Sequence, residues 1–107
     1  MESRPRKLEN YLDEKGQDPF ENWMSKLHDG KGRGAIRNRL DRLASGNFGD
    51  CEPVGGGVHE LRIDVGPGYR IYFAEDGDSV ILLGAGTKST QRSDIQRVKN
   101  RWRDYNA

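Results

Sequence analysis

The chain has 107 residues with 18 basic and 17 acidic side chains, which gives a formal net charge of +1 at pH 7. This length fits a single domain over residues 1–107, and the near balance of charges excludes any inference about partners from total charge. Only 33% of the residues are hydrophobic, so we expect a thin core carried by a few strands and helix stripes.

Several classes of protein are disfavoured by what the chain lacks. A single cysteine, Cys51, excludes an internal disulfide and a cysteine-based metal site. The two histidines are too far apart for a local ligand pair, so we expect no metal and no cofactor. No apolar run reaches the ~18 residues that cross a membrane, and the N-terminus has no apolar signal-peptide segment. A cytoplasmic protein without a membrane partner is therefore expected.

The charges are distributed unevenly along the chain. Residues 9–30 carry six acids and two lysines, whereas residues 31–45 carry five basic residues and one acid, and residues 88–103 carry six basic residues and one acid. Such asymmetry in a small domain favours a positive surface for a polyanion. The alternative is a pair of helices whose charged faces are simply solvated.

The first elements are a weak strand and a short amphipathic helix. Residues 6–12 (RKLENYL) are interpreted as a strand, with a helix as the alternative. Asp18 is a good N-cap and Pro19 suits the first position of a helix. Apolar residues then recur at i, i+3, i+4 and i+7, as in a helix that buries one face, namely Phe20, Trp23, Met24 and Leu27. Asp29-Gly30 is expected to end this helix.

A second helix is predicted from Gly34 to Ala44. Its apolar side is formed by Ile36, Leu40, Leu43 and Ala44. Two short helices joined by a few residues form an αα-hairpin, which we expect to lie across the sheet. Residues 46–57 are rich in glycine and contain Pro53, so they are predicted to be a loop.

The most regular pattern in the chain follows that loop. Residues 58–65 (VHELRIDV) alternate as in a half-buried strand, and residues 69–75 (YRIYFAE) are rich in aromatic and β-branched residues. Asp76-Gly77 is a strong hairpin signal, and residues 79–86 (SVILLGAG) form an apolar run of strand length. A basic helix is expected after Thr90.

The order strand, helix, helix, loop, three strands, helix predicts an α+β fold. Its helices are segregated from an antiparallel meander, so we expect a two-layer domain in which an N-terminal strand and an αα-hairpin pack on the meander and a C-terminal helix follows. No internal repeat is present, and there is no Gly-x-Ser-x-Gly elbow, P-loop or His-Glu-x-x-His motif.

Candidate functional residues are the cations around the meander. Strand alternation places Glu60 and Arg62 on one face and His59 on the other. If the strands pair in order, Arg62, Arg70 and Lys88 converge near one rim of the sheet. Clustered cations bind phosphates and stabilise a phosphorane transition state. The alternative is ordinary cross-strand ion pairing of Arg62 and Arg70 with Glu60, Asp64 or Glu75.

Four segments resemble the RelE/ParE toxin superfamily, and more narrowly its HigB-like addiction module killer branch. The most specific is Gly86-Thr87-Lys88-Ser89-Thr90-Gln91, and the others are Gly68-Tyr69-Arg70-Ile71-Tyr72-Phe73, Asp18-Pro19-Phe20-x-x-Trp23 and Val58-His59-Glu60-Leu61-Arg62. The resemblance covers roughly residues 6–102. The chain differs from RelE in having Glu60 in place of a Lys and Gln96 in place of a Tyr.

This resemblance implies a toxin that cuts mRNA on the ribosome without a metal. Arg62, Arg70 and Lys88 would hold the scissile phosphate, and Arg70 would stabilise the transition state. His59 or Glu60 would serve as the base. The positive face of residues 88–103 would contact ribosomal RNA. The candidate RNA-binding residues are Gln91, Arg92, Lys99 and Arg37.

The resemblance also implies a cognate antitoxin, often a helix-turn-helix protein, through which alone the toxin would reach operator DNA. Two alternatives stay open, because one fold can serve several targets. ParE-like relatives inhibit DNA gyrase without cutting RNA. A decayed toxin would retain only its antitoxin-binding surface.

Overall fold

The computed structural model describes residues 4–107. A five-stranded sheet and three α-helices make up an α+β fold that ends in a C-terminal helix. The elements in chain order are β1 (Lys7–Asn10), α1 (Pro19–Ser25), α2 (Gly30–Ala44), β2 (Cys51–Gly55), β3 (Val58–Ile63), β4 (Tyr69–Asp76), β5 (Ser79–Thr87), a short 3₁₀ turn (Lys88–Thr90) and α3 (Gln91–Tyr105).

The meander predicted from the sequence is confirmed. The strand order is β1-β5-β4-β3-β2, with antiparallel pairing from β2 through β5. The β4–β5 hairpin turns at Gly77, whose φ of +58° is a conformation that glycine adopts without steric cost. The predicted first strand is also confirmed, and it pairs in parallel with the first half of β5.

The prediction of two layers is wrong, because helices cover both faces of the sheet. On one face, α1 and α2 bury their apolar stripes against alternate residues of β3, β4 and β5, with Ile36, Leu43, Leu61 and Phe73 all buried. On the other face, α3 packs through Val98 against a smaller cluster. Strand alternation sends side chains to both faces, so the outcome is a three-layer arrangement.

Two predicted boundaries also needed correction. Asp29 does not end α1, which stops at Ser25. Instead, the side chain of Asp29 accepts a hydrogen bond from the N–H of Gly32 and caps α2. The second helix therefore begins at Gly30 and not at Gly34. Residues 46–57 are not all loop, because Cys51–Gly55 form the edge strand β2. An edge position is where a strand tolerates proline.

Within residues 4–107, no helix is long and apolar enough to cross a bilayer.

Candidate functional site

A row of charged residues crosses the sheet on the face covered by α3. Arg62 on β3 and Arg70 on β4 are directly opposite each other in the antiparallel register, and Gly86 on β5 is the next residue in that row. The row below it holds Glu60 between Glu52 on β2 and Tyr72 on β4. Like charges directly opposite each other destabilise a sheet, so this arrangement depends on compensation between the two rows.

Glu60 supplies that compensation from a buried position. Its side chain is only 1% exposed. One carboxylate oxygen, Oε1, accepts a hydrogen bond from Nε of Arg62 at 3.0 Å and lies 3.7 Å from Nε of Arg70. The other, Oε2, accepts one from Nε2 of Gln91 at 2.6 Å. Charge-assisted bonds of this kind are roughly twice as strong as neutral ones, so one carboxylate connects β3, β4 and the first turn of α3.

Glu52 provides a second partner for Arg62. The Nη2 atom of Arg62 donates to Oε2 of Glu52, which reaches across from the edge strand. The hydrogen bonds to Glu60 and then to Glu52 raise the pKa of the Arg62 guanidinium. The charge of Arg62 is therefore balanced from two sides.

Arg70 is the buried cation of the cluster. It is 6% exposed, and its Nη1 atom donates to the backbone oxygen of Tyr69 at 3.0 Å. Asp64, an exposed residue, lies 4.0 Å from the same nitrogen. Nε of Arg70 is buried and has no hydrogen-bond partner, and the same is true of the hydroxyl of Tyr72 in the neighbouring row. Burial, followed by the charge of Glu60, raises the pKa of Tyr72, which keeps this hydroxyl protonated.

Lys88 reaches the same end of the sheet from the turn after β5. Its backbone N–H donates to the oxygen of Gly68 at 2.7 Å. A methyl group built on Gly68 would lie 3.5 Å from Cβ of Lys88 and 3.6 Å from Nη1 of Arg70, so the base of the Lys88 side chain and the guanidinium of Arg70 both lie close to that glycine. The side chain of Lys88 is exposed and forms no ion pair within residues 4–107. The structure thus brings Arg62, Arg70 and Lys88 to one end of the sheet.

The first turn of α3 packs closely over this row because Gly86 has no side chain. A methyl group built on Gly86 would lie 1.9 Å from Oδ2 of Asp94 and 2.7 Å from Oγ1 of Thr90. The hydroxyl of Thr90 donates to Asp94, which also pairs with Arg97 at 3.0 Å. Glycine at this point lets α3 approach closely enough for Gln91 to reach Glu60.

The other predicted site residues lie at different distances from the cluster. His59 is on the opposite face, where its ring stacks on Phe73 with 5.4 Å between centroids, so the structure does not bring it to the cations. Arg37 is exposed on α2, in the layer on that same opposite side. Arg92 is exposed on α3, and Lys99 lies against the β2–β3 turn, with Nζ 2.9 Å from a methyl group built on Gly55.

Sequence reasoning missed two residues of this arrangement. The sequence predicts a loop at Glu52, because Pro53 and the following glycines obscure the pairing of β2 with β3 on which the contact of Glu52 with Arg62 depends. Asp94 was counted only as one acid in a basic helix. A signal for it exists, because Gly84 and Gly86 interrupt an otherwise apolar strand, and glycine within a strand often marks the close approach of another element.

The fold and the site define a small α+β domain whose sheet carries a cation cluster beneath the start of its last helix. No protein-family model matches the chain, and no solved structure matches it. An uncharacterized protein of Haemophilus influenzae is 48% identical over 81 residues, which cover 75% of this chain and 82% of that protein. The chain belongs to the same family as this Haemophilus protein.

Proposed function

We propose that the chain is a RelE-like toxin of a type II toxin–antitoxin system that cuts mRNA on the ribosome, in the cytoplasm and without a metal. The observation that carries this proposal is the meeting of Arg62, Arg70 and Lys88 at one end of the sheet. Three cations from three separate segments lie near one another, and the exposed Lys88 and the partly exposed Arg62 are accessible to a phosphodiester. The motif resemblance supplies the class of reaction and the expectation of a cognate antitoxin.

The cations have different tasks in this proposal. Lys88 is exposed, and the side chain of Arg62 is 30% exposed, so both can contact a phosphate directly. Arg70 is almost buried and acts from below through its charge. Preorganised cations stabilise the negative charge that grows on the phosphorane, and loss of one such donor typically costs about 10²–10³ in rate.

Glu60 acts in this scheme as a positioning residue. Both of its oxygens already contact donors from Arg62, Arg70 and Gln91, and its side chain is 1% exposed. A general base must come within hydrogen-bond reach of the proton that it removes. The geometry therefore favours Glu60 as the group that holds the two guanidiniums in place while the exposed cations contact the RNA.

The test is induction of the chain in a bacterial host, followed by primer extension on translated transcripts. We expect the natural chain to arrest growth and to produce discrete in-frame cuts, and Lys88→Ala to reduce both. Arg70→Ala should abolish arrest while antitoxin binding, measured by co-purification, is kept. Arg42→Ala is the matched control, because Arg42 is exposed on α2 on the other side of the sheet. Intact mRNA during growth arrest would refute the proposal.

One observation favours a second candidate, a toxin that acts by binding and does not cut RNA. Arg62 is already balanced by two carboxylates, which weakens its hold on a scissile phosphate. A gyrase inhibitor of this kind would produce DNA breaks with intact mRNA in the same induction experiment. A chain that retained only its antitoxin-binding surface would cause no growth arrest.

A further inference from the structure

Of the two terminal nitrogens of the Arg62 guanidinium, one donates a hydrogen bond to a carboxylate of the protein itself. Nε of Arg62 is held by Glu60, which leaves Nη1 and Nη2 as the fork that can bind two oxygens of a phosphate. Glu52 occupies Nη2, whereas Nη1 makes no hydrogen bond within the part of the chain that the structure describes. We infer that Glu52 is an internal competitor, whose carboxylate occupies the phosphate position of Arg62 and must leave before a phosphodiester binds. This inference concerns regulation of the same site and rests on the proposed function.

The two glutamates on Arg62 differ in whether they can leave. The side chain of Glu60 is 1% exposed and contacts donors from three elements, so it stays in place. The side chain of Glu52 is 59% exposed, and within residues 4–107 it forms an ion pair with Arg62 alone. An exposed ion pair is worth little, because water replaces each lost contact. Displacement of Glu52 by a phosphate is therefore a small step, and displacement of Glu60 is not.

The position of Glu52 in the sheet also favours its release. It lies on the edge strand β2, whose register with β3 shifts between Pro53 and Gly55. In that register Glu52 is directly opposite Glu60, and two like charges so placed repel each other unless a cation lies between them. A phosphate on Arg62 removes that shielding and adds a third negative charge, so Glu52 turns outward to solvent.

The experiment measures binding of a short fluorescein-labelled oligonucleotide of 2′-O-methyluridine, which lacks the hydroxyl needed for cleavage. Fluorescence polarisation of the purified full chain gives the affinity at low salt. We expect Glu52→Gln to bind about twofold more tightly than the natural chain, since the small energy of an exposed ion pair no longer opposes the phosphate. In an Arg62→Ala background the same substitution should have no such effect, which distinguishes competition at Arg62 from a change in the fold.

The matched control is Glu9→Gln, because Glu9 is exposed on β1 at the other edge of the sheet and its loss changes the net charge equally. Equal affinities of Glu52→Gln and Glu9→Gln would overturn the inference, and so would absence of oligonucleotide binding by every variant. The proposed function fails in a different way, through intact mRNA in cells that have arrested growth. The two failures are therefore separable.

Discussion

Replacing Glu60 with glutamine tests whether its charge holds the site together. The new amide has the same shape, and rotation of the Gln91 amide preserves the hydrogen bonds, so the substitution isolates the loss of charge. Among residues 4–107, Arg70, at 6% exposure, would then keep Asp64 as its one ion-pair partner, 4.0 Å away and exposed. Breaking a buried ion pair costs about 3–5 kcal/mol. Because Arg62 retains Glu52, we expect a loss of about 2–4 kcal/mol in the free energy of unfolding.

Urea unfolding at neutral pH, followed by tryptophan fluorescence and by circular dichroism, measures this loss. With a slope of roughly 1–3 kcal/mol per molar urea for a small domain, the midpoint should fall by about 1–2 M. Glu52→Gln is the matched control, since it removes the other carboxylate of Arg62 from an exposed position. Its effect should stay within about 0.5 kcal/mol, as for most surface substitutions. Equal midpoints for the two variants would refute the assignment of Glu60 as the residue that holds the cluster.

Two further predictions concern packing and pH. Gly86→Ala places a methyl group 1.9 Å from Oδ2 of Asp94, and we expect it to destabilise the protein by about 1–3 kcal/mol. Gly34→Ala is the control, because nothing lies within 4 Å of that position on the exposed side of α2, and it should stabilise the protein by about 0.5–1 kcal/mol. Equal effects of the two substitutions in urea unfolding would contradict this prediction. The hydrogen bond to Asp29 raises the pKa of Tyr69 from 10.0 to about 12. The stability that this hydrogen bond contributes is therefore complete below pH 10.0 and is lost as the pH rises to about 12. Tyr69→Phe should therefore unfold with a weaker dependence on alkaline pH, and an unchanged dependence would show that this bond is not formed.

The residues that were predicted well have local causes. The alternation in β3, the Asp-Gly turn before β5 and the Asp18 N-cap each depend on a few neighbouring residues, and the structure confirms them. The errors have a different origin. Glycines and Pro53 hid the strand β2, because its pairing with β3 is visible only when the partner strand is in place. The Asp29-Gly30 pair predicts the end of α1, but Asp29 caps α2, since an Asp-Gly pair is compatible with either position.

The sequence by itself determined the order and type of nearly all elements, the two apolar stripes of the helical hairpin and the candidate cations of the meander. Strand alternation also predicted that His59 lies on the face opposite Glu60 and Arg62. Only the tertiary structure decided that helices cover both faces of the sheet, that Glu60 is a buried partner of Arg62 and Arg70, and that His59 stacks on Phe73. The physical reason is that periodicity depends on adjacent residues, whereas charge compensation depends on which strands are neighbours. Glu52 and Glu60 are eight positions apart in the chain but directly opposite each other in the sheet.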